Sequence, residues 1–150
     1  MNMKHTKKGQ LFTEIVLEVF KLNGQLVSEG DRLMKEFDLS TVSWKVLGAL
    51  ALAESPLTVP QIARKMGQTR QGIQRITDVL EKRGLLRYQT NPDHKRSRLI
   101  ALTDQGKNIN EKLDQKQTPW ANSISENSRE QDLSTTISVL QNLNRELESQ

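Results

Sequence analysis

Two capped helical segments separated by one glycine turn constrain this chain more than any other feature. Thr58-Val59-Pro60-Gln61 has the pattern of a capping box. The threonine hydroxyl accepts from the amide three residues on, the glutamine reaches back, and proline occupies the first turn, where a missing N–H is harmless. The helix it opens is short and ends at Met66. Gly67-Gln68 form a tight turn, Thr69 caps again, and a longer helix extends to Arg83, with Gly84 placed for the left-handed residue that closes a helix. Two helices joined by a short turn around a glycine make a helix-turn-helix.

Around this pair the hydrophobic pattern supplies the other elements. Leu86-Arg87-Tyr88-Gln89-Thr90 and Arg98-Leu99-Ile100-Ala101-Leu102 read as strands, and the segment between them, Asn91-Pro92-Asp93-His94-Lys95-Arg96-Ser97, mixes turn formers with cations. Together they form a β-hairpin with a basic tip, a wing. Upstream, Leu11, Ile15, Val19, Leu22, Leu26 and Leu33 recur at helical spacing, and Ser40 caps a second helix through Trp44, Leu47 and Leu50 to Ala53, stopped by Pro56. Downstream, Thr103 caps a helix that Pro119 should kink or break. A last helix opens with the box Ser128-Arg129-Glu130-Gln131 and carries Leu133, Ile137, Leu140, Leu143 and Leu147 along one side. The fold class is therefore mainly α with a small β wing: about six helices and a two- to three-stranded hairpin, a winged helix-turn-helix. Residues 1–10 read as a flexible basic tail, 11–55 as supporting helices, 56–103 as the winged region and 104–150 as C-terminal helices.

The longer helix of the pair sorts by face. Ile73, Ile76, Val79 and Leu80 form the stripe that packs on Ile62, Ala63 and Met66. Near its N-terminus Thr69, Arg70, Gln71, Gln74 and Arg75 stand on the other side, and Gly72 leaves room beside them. Arginine bonds two acceptors of guanine at once, and glutamine pairs with adenine in the same two-pronged way. The charge agrees with an anionic partner. Residues 60–100 hold ten Lys/Arg against Asp78, Glu81 and Asp93, whereas the rest of the chain holds twelve against fifteen acidic groups, so the net +4 resides in the middle. In the wing, Lys95, Arg96 and Arg98 can reach a minor groove beside the helix's major groove. Each part alone also suits a solvated surface. Their conjunction points to double-stranded DNA.

These residues resemble the MarR family of winged helix-turn-helix transcriptional regulators. The similarity runs from about Leu11 to Leu147 in layout. It is sharpest in Leu57-Thr58-Val59-Pro60-Gln61-Ile62-Ala63, Leu80-Glu81-Lys82-Arg83-Gly84-Leu85, Asp93-His94-Lys95-Arg96-Ser97 and Leu102-Thr103-Asp104-Gln105-Gly106. The resemblance implies a recognition helix over 69–83, Arg96 entering the minor groove, and dimerisation through the terminal regions. It also implies a bacterial repressor whose DNA affinity falls when a small-molecule effector binds; effector-binding residues are not assigned. The wing departs from the family's frequent Asp-Arg-Arg pattern by one extra residue before the Leu-Thr pair, which changes the setting of the Asp–Arg pairing that orients the tip.

A homodimer also follows from the apolar stripes themselves. Leu11, Ile15 and Val19 at one end and Leu133, Ile137, Leu140, Leu143 and Leu147 at the other exceed what the winged core can cover, and a two-fold partner would supply the missing surface. Its two recognition helices would stand about one DNA turn, ~34 Å, apart and read a pseudo-palindrome.

Other classes fit poorly. The chain has no cysteine, which excludes disulfides and thiol switches and suits a reducing, cytoplasmic setting. The two histidines, His5 and His94, give no metal-ligand spacing, so neither metal nor cofactor is expected. Gly67-Gln68-Thr69-Arg70-Gln71-Gly72 has two glycines of a phosphate loop, but Ile73 and Gln74 stand where lysine and a hydroxyl are required. No nucleophile elbow occurs, and an enzyme is not expected. With a mean hydropathy of −0.63 and no long apolar run, neither a membrane span nor a membrane partner is expected. The alternative from another class is a winged-helix module for protein–protein interaction, which would need exposed apolar anchors where Gln and Arg stand.

Overall fold

The computed structural model describes residues 4–150. Six helices and a three-stranded sheet follow in the order α1 (Lys7–Met34), a 3-10 turn (Lys35–Phe37), α2 (Thr41–Leu52), β1 (Leu57–Thr58), α3 (Val59–Met66), α4 (Arg70–Lys82), β2 (Leu86–Gln89), β3 (Leu99–Leu102), α5 (Asp104–Ser125) and α6 (Glu130–Glu148). The chain forms two compact units, Met1–Asp114 and Gln115–Gln150. The first part of α5 thus belongs with the winged region, because Gly106, Asn110 and Leu113 are buried there.

The caps form as local chemistry dictates. Thr58 and Gln61 complete a reciprocal box at α3, Thr69 accepts from the Gly72 amide at α4, and Ser40 accepts from the Ser43 amide at α2. Gly67 and Gly84 take the left-handed conformation, with φ of 62° and 76°. The sheet order is β1-β3-β2, all antiparallel, with Leu57 opposite Ile100 and Tyr88 opposite Ile100 on the other side. Thr58 therefore both caps α3 and pairs with the wing, which fixes the sheet against the helix pair. The core of this unit is Met34, Val46, Leu47, Ile62, Ile73, Leu80, Leu85, Ile100 and Leu113, all essentially inaccessible.

Two close approaches set the packing. Gly30 of α1 lies where a Cβ would stand 3.1 Å or less from Thr41 side-chain atoms. There the single hydroxyl hydrogen of Thr41 is shared between the Val27 carbonyl at 2.8 Å and Asp31 Oδ1 at 2.9 Å. Gly106 lies against the Leu85 carbonyl, and Thr103 donates its amide to Leu85 O at 3.1 Å and its hydroxyl to Gly84 O at 2.6 Å. The Leu102–Gly106 segment is therefore a clasp that docks α5 on the end of α4.

Four expectations are corrected. Lys7–Gln10, read as part of a flexible tail, are helical, because Thr6 accepts from the Gly9 amide and starts α1 early; residues 1–3 of that tail lie outside the described residues. Val79, assigned to the buried stripe, is 50% exposed, and Thr77 is fully buried instead. Ile73, Thr77 and Leu80 at spacings of four and three define the buried line, and Val79 falls beside it. The helix is not broken at Pro119: α5 runs through it. Proline removes only the donor that would reach the Gln115 carbonyl, and the flanking turns hold the ladder. The Ser128 box does not form. Arg129 is the N-cap with no side-chain cap bond, and its guanidinium pairs with Asp132 at 2.8 Å.

Candidate nucleic-acid interface

Helix α4 presents its N-terminal half to solvent. Thr69, Arg70, Gln71 and Arg75 are exposed, while Ile73, Thr77 and Leu80 anchor the opposite side. The wing is exposed as well at Lys95, Arg96 and Arg98. The two elements meet in a notch of about 340 Å³ lined by Val59, Pro60, Arg70, Gln74, Tyr88, Arg96, Ser97 and Arg98. Three guanidinium-bearing residues, Arg70 of α4 and Arg96 and Arg98 of the wing, line one concavity. Such a site suits the phosphate backbone of a nucleic acid beside the base-reading helix.

Gln74 differs from the expected free reader. Its amide Nε2 donates to Asp78 Oδ1 at 2.9 Å and to the Tyr88 hydroxyl at 3.1 Å. The Tyr88 hydroxyl donates to the same Asp78 oxygen at 2.5 Å and lies 3.0 Å from Thr77 Oγ1. Thr77 in turn donates to the Gln74 carbonyl at 3.0 Å. The hydrogen bond from Tyr88, ahead of those from Gln74 and the nearby Arg98 and Lys82 charges, holds the Asp78 carboxyl below its usual range. Burial, then the bond to Asp78, pushes the Tyr88 phenol up. The Arg98 guanidinium stacks 3.9 Å above the Tyr88 ring, a cation–π contact that draws one wing cation back toward the helix.

The wing tip closes on itself. Asn91 is buried and donates Nδ2 to the Ser97 carbonyl at 2.9 Å, while its Oδ1 accepts from the Asp93 amide at 3.1 Å. His94 N to Asn91 O and Ser97 N to His94 O complete two successive turns. The tip of this wing is thus held by an asparagine, and Lys95 and Arg96 project from it. Behind the site, Arg83 donates to the carbonyls of Asp38 at 2.6 Å and Phe37 at 2.9 Å, which ties the end of α4 to the turn after α1.

Sequence reasoning missed Tyr88, Asp78, Thr77, Asn91 and Arg83. One signal was available: Tyr88 alternates with inward-facing Leu86, so the chain's single tyrosine lies on the helix-facing side of β2. The expected dimerisation residues Leu11, Ile15 and Val19 of α1 and Leu133, Ile137, Leu140 and Leu147 of α6 are exposed, and Leu143 is half-buried. Among the described residues, no helix is long and apolar enough to cross a membrane.

A capped helix pair with a basic hairpin at its side defines a winged helix-turn-helix protein. Residues 37–97 match the model of the MarR family. An uncharacterized protein of Mycobacterium tuberculosis is 37% identical over 95 residues, a match covering 63% of this chain and 65% of that relative. The chain therefore spans less than two thirds of the length of such curated relatives. The transcriptional activatory protein BadR of Rhodopseudomonas palustris is 26% identical over 72% of this chain and 63% of its own. In fold the chain is similar to AbsC, a MarR family transcriptional regulator from Streptomyces coelicolor, with a TM-score of 0.80, 18% identity and coverage of 99% and 100% of the two chains. It is also similar to CouR from Rhodococcus jostii RHA1 bound to p-coumaroyl-CoA, with a TM-score of 0.78, 20% identity and coverage of 87% and 91%.

Proposed function

We propose that this chain is a transcriptional regulator that binds duplex DNA sequence-specifically as a homodimer and represses from a pseudo-palindromic operator. The observation that carries this reading is the notch where Arg70, Arg96 and Arg98 converge beside the exposed Arg70–Gln71–Arg75 face of α4. Helix α4 enters the major groove, Arg96 follows the adjacent minor groove, and the notch takes backbone phosphate. The exposed face of this helix is polar, which favours DNA over a protein partner as the occupant. The apolar residues left uncovered on α1 and α6 support a second copy of the chain as partner. The likeness to CouR, solved with a coenzyme A thioester, supports a small-molecule effector for this chain too.

The test is a titration of the chain's own upstream DNA against random duplex over a range of salt. Tight binding to one duplex, with log affinity falling linearly with log salt, supports the reading; equal affinity for all sequences refutes it. Each phosphate contact contributes about −0.9 to that slope. Sedimentation in which only a 17.1 kDa species is found at micromolar concentration removes the dimer.

A further inference from the structure

Gln74 stands on the reading face with its amide donors already committed within the protein. A carboxamide has two N–H donors and one carbonyl oxygen. Here Nε2 is committed twice, to Asp78 and to Tyr88, and the Tyr88 hydroxyl is itself fixed by its 2.5 Å bond to Asp78. The arrangement joins two elements, because Asp78 and Gln74 lie one turn apart on α4 and Tyr88 comes from β2. The Tyr88 ring also carries Arg98 on its face, so its position is held from the wing side. What Gln74 still offers to a ligand is Oε1, an acceptor.

In the major groove, adenine N6 and cytosine N4 present amino donors, whereas guanine and thymine present acceptors in the corresponding region. The two-pronged pairing of glutamine with adenine needs a free N–H as well as the oxygen. We propose that Tyr88 and Asp78 are positioning residues for specificity: they hold Gln74 so that it reads an amino group through Oε1 and accepts adenine or cytosine alike. The inference rests on the DNA-binding reading above and deepens it. The pair of residues acts through Gln74 and touches no base.

The experiment selects bound duplexes from a randomised library with the full chain, and with Gln74→Ala, Tyr88→Phe and Asp78→Ala. Gln74→Ala marks the base pair read by this residue as the one where preference flattens. At that pair the wild-type chain should accept adenine and cytosine within about threefold and reject guanine and thymine about tenfold. Tyr88→Phe keeps the ring under Arg98 but frees one amide hydrogen, so adenine should become preferred over cytosine about tenfold. Asp78→Ala frees the other hydrogen and should shift preference the same way, an independent reading should either variant lose its fold in a thermal melt. A wild-type preference for adenine alone, no base pair affected by Gln74→Ala, or preferences unchanged in both variants overturns the inference while leaving sequence-specific binding intact. Wild-type binding without any sequence preference refutes the functional reading itself, and the inference falls with it.

Discussion

Gly106→Ala sets two effects of opposite sign against each other. Glycine in a helix interior is worse than alanine by ~1 kcal/mol, so propensity alone predicts a more stable protein. The structure predicts the reverse. A Cβ at this position would stand 2.0 Å from the Leu85 carbonyl oxygen and 3.3 Å from Leu102 Cδ2. Ordinary contact lies near 3.5 Å, so the carbonyl or the helix must retreat by roughly 1.5 Å. That movement pulls on the Thr103 amide bond to Leu85 and the Thr103 hydroxyl bond to Gly84. Overpacking costs ~1–3 kcal/mol and one weakened hydrogen bond ~1 kcal/mol, against the ~1 kcal/mol gained in propensity. The expected net loss is about 2 kcal/mol, or roughly 4–8 °C in Tm for a chain of this size. Urea titration and thermal melts followed by far-UV circular dichroism, at one protein concentration, measure it. Gly24→Ala is the matched control, since nothing lies within 4 Å of its added carbon, and it should gain ~1 kcal/mol. A Gly106→Ala chain that unfolds at or above the wild-type midpoint would show that the clasp does not bear on stability.

Arg83→Ala should lose ~1–3 kcal/mol by removing a charged donor from the Asp38 and Phe37 carbonyls, and a urea midpoint unchanged within error counts against that tie. Arg96→Ala should weaken binding to every duplex alike and reduce the log–log salt slope by about 1, measured by fluorescence anisotropy; a change in base preference at single positions would contradict the charge-based role proposed for it in the minor groove. For pH, Asp78 titrates below its ordinary 3.8 in the folded chain, so its contribution is present above that value and is lost as pH falls through the folded pKa. Tyr88 titrates above its ordinary 10.0, so its contribution is complete below that value and is lost as pH rises through the folded pKa. Wild type should therefore lose its advantage over Tyr88→Phe at the alkaline end, and parallel stability curves to high pH would contradict it.

The features legible in the sequence are those whose partners are near in the chain. Thr58 with Gln61, Thr69 with Gly72, and the left-handed glycines 67 and 84 bond within four residues, so the pattern suffices to place them. The state of Gln74 was not legible, because its partner Tyr88 stands fourteen residues away on a strand. A polar residue on a polar face gives no hint that its donors are taken. Val79 and Thr77 show a different limit. Hydrophobicity favours valine for the core, but the angular position on the helix decides, and a threonine that can return its hydroxyl to the Gln74 carbonyl is buried without loss. Pro119 shows a third, since a breaker rule concerns one bond in the ladder and α5 has many others.

The self-fastened wing tip has a bearing on how such a protein can change over generations. Asn91 ties Ser97 and Asp93 through bonds that begin and end within the loop, and the sheet below receives only its two ends. Lys95 and Arg96 ride on this scaffold without holding it together. Their charge and reach can drift by point mutation while the hairpin stays shut, so a lineage can alter what the tip presents without first having to repair the fold.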